Sequence, residues 1–182
     1  MTTQTNSNQL KFTFINNEIW SLTFAGAFQR ANIYSSKVSD NEKNEFKVGL
    51  RKFVEEELYA FYQKDTIHDD IHLEQIYKLS NYSKKYTSIL QGEQLNFGVS
   101  QKIVNLFLKY QWCLGKIPPP PHFPVDRRIQ EIIKYKPIVS WTKFKDETDY
   151  MKIICFVRKN LGDHSNIAQY ELDHFERRLK TT

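Results

Sequence analysis

The sequence predicts an all-α fold, a single compact domain of about seven helices. Three observations carry that prediction. Apolar residues recur at helical spacing through most long segments. Glycine is scarce, six in 182 residues against about 7% in average usage, too few for a turn-rich sandwich or a series of glycine phosphate loops. No G-x-G-x-x-G or G-x-x-x-x-G-K-[ST] occurs. Cap residues also fall where the periodic segments begin and end. The length fits one domain able to bury its own core.

The elements follow in order. Met1 to Gln9 is polar and uncharged and reads as a disordered tail, leaving 10–182 as the helical domain. Leu10 to Ile15 alternates weakly, as a short strand or as the approach to a helix. From Asn17, the set Trp20, Phe24, Ala27, Phe28 and Ala31 forms one helical stripe. Ser39 or Asp40 caps a second helix, whose Phe46, Leu50, Phe53, Val54, Leu58 and Phe61 face inward with Glu55, Glu56 and Glu57 outward. After a loop to Asp70, a third helix places Ile71, Ile76, Leu79, Tyr82, Tyr86 and Ile89 at core spacing. Asn96-Phe97-Gly98 reads as a turn into the most apolar helix, Val99 to Leu114, closed by Gly115. Pro118 to Pro121 is a stiff polyproline spacer. Short helices then run over 126–135 and 146–161, and a final one from Ser165 to about Leu179.

Charge is uneven. The chain is +5 overall, yet residues 1–101 hold 11 basic against 12 acidic residues. Between 102 and 145, nine basic residues face only Asp126 and Glu131. A polyanion is the natural partner of such a segment, and a solvated basic face is the plainer alternative. Cys113 and Cys155, with no Cys-x-x-Cys, exclude a four-cysteine zinc or iron–sulfur site and a disulfide framework within one chain. No apolar run approaches the ~20 residues that cross a bilayer. The start lacks the basic and apolar regions of a signal peptide. The expected setting is a reducing cytoplasm with no membrane partner. His68 and His72 have a metal-like spacing but no third ligand, so no metal site is assigned.

Gly98-Val99-Ser100-Gln101-Lys102, an apolar helix, and then Phe123-Pro124-Val125-Asp126 occur in that order. Ile167-Ala168-Gln169-Tyr170-Glu171-Leu172 follows near the C-terminus. Together these segments resemble the core of the helix-hairpin-helix DNA glycosylases, especially the branch that removes 8-oxoguanine. The resemblance spans residues 96–176, a little under half the chain. Ser100 stands where the family has a second hairpin glycine, and Leu95-Asn96-Phe97 replaces its leucine-proline lead-in. The resemblance implies an N-glycosylase acting on a damaged or modified base in DNA, with Schiff-base lyase chemistry and no cofactor. It makes Lys102 the nucleophile and Asp126 its electrostatic partner. It gives Gly98, Val99 and Ser100 a phosphate-holding role through their backbone. Lys109, Arg127, Arg128, Lys134 and Lys136 become candidate contributors to the DNA-binding field.

The chemistry also stands without the family. A lysine in the first turn of a buried helix meets the positive end of the helix dipole and partial desolvation, and both favour the neutral, nucleophilic amine. An aspartate capping a neighbouring helix is held as the carboxylate and stabilises positive charge developing on a sugar. Taken singly, Lys102 reads equally as an ordinary exposed lysine and Asp126 as a plain N-cap. Catalysis therefore requires the two to open into one cleft. The alternative is a non-catalytic helical accessory protein that binds nucleic acid or an acidic partner.

Overall fold

The computed structural model describes residues 2–63, 67–162 and 166–175, with side chains from Ser7 onward. Among these described residues seven α-helices follow one another: α1 (Thr2–Phe28), α2 (Asp40–Phe53), α3 (Asp69–Tyr82), α4 (Phe97–Cys113), α5 (Arg127–Ile132), α6 (Thr148–Lys159) and α7 (Ile167–His174). The described residues include no strand, only an isolated antiparallel bridge between Tyr34 and Leu90. The fold is all-α, and none of its described helices is long and apolar enough to cross a membrane.

α4 is the centre. Thirteen of its 17 residues are buried, among them Ile103, Val104, Phe107 and Leu108. It packs against α1 and α3. Trp20 of α1 stacks on Phe107 with ring centroids 4.7 Å apart, and Phe24 continues the row 5.1 Å from Trp20. Buried side chains of this size contribute about 1.5–3 kcal/mol each, so the α1–α4 seam is a principal source of stability. Gly115, at φ +69°, closes α4: its N–H donates to Trp112 O, and Lys116 N–H donates to Gln111 O. That left-handed closure is one L-residues resist, which accounts for glycine there.

The start of α1 differs from the sequence expectation. Residues 2–9, read as a tail, and Leu10 to Ile15, read as a strand or approach, all lie within α1. No glycine or proline stands between Thr2 and Ala25, so nothing interrupts the helix once the Trp20–Phe28 stripe has docked. The second helix also divides. After Phe53 one wide π-turn, Val54–Leu58, leads into a 3₁₀ segment, Tyr59–Gln63. This keeps Val54 and Leu58 buried, whereas Glu55, expected on the wet side, turns toward α1. There it accepts hydrogen bonds from Asn16 (2.8 Å), Trp20 Nε1 (2.7 Å) and Arg51 Nε (3.2 Å).

Ser39 begins α2 as expected. Its hydroxyl accepts from Glu42 N–H at 3.3 Å, and its own N–H donates to the Glu42 carboxylate at 2.8 Å, a reciprocal capping box. Ser39→Ala should lower stability by about 1 kcal/mol, read as a shifted urea midpoint with an unchanged m-value.

The third helix bends at Tyr86 and ends in a 3₁₀ stretch, Ser83–Ile89. Ser80 Oγ donates to Leu95 O at 2.5 Å and Ser83 Oγ accepts from Leu95 N–H at 2.8 Å, which pins the chain just before α4. The proline run, expected as a spacer, lies partly against the core, with Pro120, His122, Phe123 and Val125 buried. α5 and α6 are shorter than the segments predicted for them. α7 is described to His174, and the predicted continuation past Phe175 lies outside the described residues.

Candidate functional site

Lys102 projects from α4, and Asp126 is the N-cap of α5. One carboxylate oxygen of Asp126 accepts the N–H of Ile129 at 2.9 Å, which fixes the carboxylate; the other accepts a hydrogen bond from Lys102 Nζ. Capping an orphan donor of α5 and meeting the lysine are thus one conformation of one side chain. The Lys102 side chain is 6% exposed and that of Asp126 28%. The Trp141 ring lies 5.4 Å from the ammonium.

Lys102 is the sixth residue of α4, because the helix begins at Phe97. The first-turn dipole argument therefore does not apply, since that effect fades within a turn. Burial instead pulls its pKa below the ordinary lysine value, against the opposing influence of Asp126 and Glu171. Burial pushes the Asp126 carboxyl up, but Lys102 and the N–H groups of Ile129 and Arg128 outweigh it and leave the pKa below the usual aspartate range. The lysine is eased toward its neutral form while its partner stays ionised.

Both groups line one cleft. A cavity of about 320 Å³ is bounded by Lys102, Leu106, Tyr110, Asp126 and Ile129, with Lys109, Glu171 and Phe175 also in its wall. It shares Lys102, Asp126, Arg128 and Phe175 with an adjoining hollow of about 330 Å³ that runs past Gly26, Arg30 and Trp141. A further hollow carries Arg30 and Trp141 on to Arg127 and Thr142. The larger groove between α1 and α2, about 760 Å³, includes neither Lys102 nor Asp126 and has no carboxylate in its lining.

A second buried pair was not foreseen. Lys109 Nζ lies 2.6 Å from Glu171 of α7, with side chains only 10% and 5% exposed. Burial raises the Glu171 pKa despite Lys109 and Lys102. Lys109, expected to add to an external DNA field, is neutralised internally. One signal was present: Glu171 sits on the same helical stripe as buried Ile167 and Ala168, an unusual place for an acid without a partner. Phe175 lies 4.0 Å from Lys109 Nζ and 5.4 Å from the Arg128 guanidinium, roofing the cavity. Trp141 and Arg30 likewise carried no local motif.

The expected phosphate turn is corrected. Gly98, Val99 and Ser100 are buried within α4, and their N–H groups are committed inside the protein. Gly98 donates to Phe144 O (3.2 Å), Val99 to the Asn96 side chain (2.9 Å) and Ser100 to Asn96 O (3.1 Å). Asn96 also donates to Thr142 O at 2.7 Å. The segment clasps the 141–144 turn rather than offering its amides to a ligand. Gly98 is needed for that clasp, since a Cβ there would stand 1.7 Å from Trp141 O and 2.9 Å from Trp141 C. Gly98→Ala should cost about 3 kcal/mol. A gain of about 1 kcal/mol, the ordinary effect of alanine in a helix, would refute the clash; thermal unfolding reads the sign.

The remaining cations separate. Arg128 is half-buried in the cleft wall, whereas exposed Arg127 bonds Glu131 at 2.8 Å. Lys134 and Lys136 are exposed beyond α5 and lie outside the lining of the cleft. His72 is buried and bonded to Tyr62 at 2.8 Å, and His122 is buried away from the cleft. Cys113 and Cys155 are exposed. No protein-family model, curated protein or solved structure matches this chain.

Proposed function

We propose that this protein is a DNA N-glycosylase that attacks a damaged or modified nucleotide with Lys102. The observation that carries the reading is the Lys102–Asp126 pair: a buried amine bonded to a helix-capping carboxylate at the wall of a cavity that also presents Tyr110 and Phe175. The adjoining Arg30, Arg127 and Arg128 suit a phosphodiester backbone. The cavity volume accommodates a flipped base, which Phe175 and Tyr110 would flank.

Lys102 gives one proton to Asp126 and becomes nucleophilic. Its lone pair bonds to the anomeric carbon as the bond from that carbon to the base nitrogen breaks. The bonding pair leaves with the base, which takes up the proton. The secondary ammonium so formed returns a proton to Asp126, its freed lone pair expels the ring oxygen, and that oxygen takes the proton from Asp126 as the sugar opens, leaving an iminium ion. Once it has passed each proton on, Asp126 is again the carboxylate, and it then stabilises the positive charge on the sugar and on the iminium ion.

Borohydride reduces such an iminium irreversibly. Duplex DNA carrying one abasic site should become covalently joined to the protein only when borohydride is present, with the adduct mapping to Lys102. Absence of an adduct across abasic and base-damaged duplexes would overturn this reading. It would leave the arginine-rimmed cleft as the binding surface of a non-catalytic protein.

A further inference from the structure

We infer that Gln101, Asn105 and Tyr150 form a buried positioning device that sets the separation of Lys102 and Asp126; the inference rests on the glycosylase reading only for its catalytic consequence. Gln101 and Val125 are the residues immediately before Lys102 and Asp126. Gln101 Nε2 donates to Val125 O at 2.8 Å, and Val125 N–H donates to Gln101 Oε1 at 3.2 Å. This two-point clasp ties together the backbone positions from which the amine and carboxylate project. The elements they belong to are otherwise joined through a loop of more than a dozen residues, in which small adjustments would be expected.

The clasp is itself held. Asn105, one turn along α4, donates to Gln101 Oε1 at 3.2 Å and to the Tyr150 hydroxyl at 2.9 Å. Tyr150 donates to His122 Nδ1 at 2.9 Å, and His122 Nε2–H donates to Asp69 at 2.9 Å. Arg158 grips both Asp69 oxygens, at 2.5 and 2.7 Å. One proton assignment gives these bonds a consistent direction, with neutral His122 carrying its hydrogen on Nε2. Gln101, Asn105, His122 and Tyr150 are each 0% exposed. Apolar side chains would fill this space without polar desolvation, so the network contributes direction and register rather than bulk burial.

Gln101→Met and Tyr150→Phe remove the clasp and its support while keeping side-chain volume. Competitive lysine labelling read by mass spectrometry measures the Lys102 titration without substrate. In both variants the midpoint should fall, because the amine keeps its burial and loses part of its contact with Asp126. Single-turnover trapping on abasic duplex should slow by on the order of 100-fold in Gln101→Met, with DNA affinity within about twofold of the wild-type chain. A lower melting temperature with an unchanged Lys102 midpoint and an unchanged rate per folded molecule would overturn the proposal. A shifted midpoint in a protein whose wild-type form traps no DNA would uphold positioning and remove the glycosylase reading. Should Gln101→Met not fold, Tyr150→Phe carries the same comparison, its midpoint shift supporting the proposal and an unshifted midpoint overturning it.

Discussion

Lys102→Gln should abolish the borohydride adduct on abasic duplex while leaving DNA affinity and stability near wild type. The loss is complete in kind, because a carboxamide nitrogen forms no iminium ion. Glutamine can still donate to the Asp126 carboxylate, and Asp126 keeps its bond from Ile129 N–H, so α5 stays capped. Asp126 is also partly exposed, which limits the penalty of losing its countercharge. Asp126→Asn is the companion variant. It retains a capping oxygen and the shape of the site but removes the negative charge that opposes burial of the amine. The Lys102 pKa should fall further while the trapping rate drops by about 10²–10⁴, as for loss of a positioned proton acceptor. A trapped band that survived Lys102→Gln would assign the nucleophile elsewhere. Denaturant midpoints on the same preparations separate lost chemistry from lost fold.

Lys109→Met has the larger effect on stability, about 3–5 kcal/mol, because it strands a carboxylate that is almost wholly buried. Replacing both partners, Lys109→Met with Glu171→Leu, should recover most of that loss, since the cost lies in the unpaired charge rather than in the missing attraction. The pH dependence has a definite sign. The folded-state pKa of Glu171 is raised, and removing Lys109 raises it further. A carboxyl raised above its unfolded value favours folding in its protonated form. That contribution is fully present below the unfolded glutamate pKa, near 4.3, and is lost as pH rises through the folded value. The deficit of Lys109→Met should therefore be smaller at pH 5 than at pH 8 in urea titrations. An equal deficit at both values would mean that Glu171 finds another partner.

The residues legible in the sequence were those whose meaning is local. Asp126 before Arg127-Arg128-Ile129 announces a cap, and it is one. The apolar spacing of α4 announces a buried helix, and α4 is the most buried element. Lys102 and Asp126 stand 24 residues apart in sequence, and the two share a cleft. What local sequence does not reveal is where backbone and side-chain groups find distant partners. Gly98 looked like part of an anion-binding turn because nothing in the local sequence reveals that the 141–144 segment returns to cover it. Lys109 looked like surface charge because its partner lies 62 residues away. Glu55 was placed outside by a helical wheel that one π-turn rephases. Gln101 is a single glutamine in an apolar helix and carries no signature until Val125 lies opposite it.

The proline run between α4 and α5 has a thermodynamic role in the unfolded chain. Four consecutive prolines there hold φ near its folded range even without tertiary contacts, so this stretch samples few conformations before folding. The connection that returns Asp126 to Lys102 accordingly loses less chain entropy on closing than a flexible loop of the same length. Burial of Pro120, Phe123 and Val125 then anchors an already stiff span. The arrival of the carboxylate at the amine is prepared in the denatured ensemble.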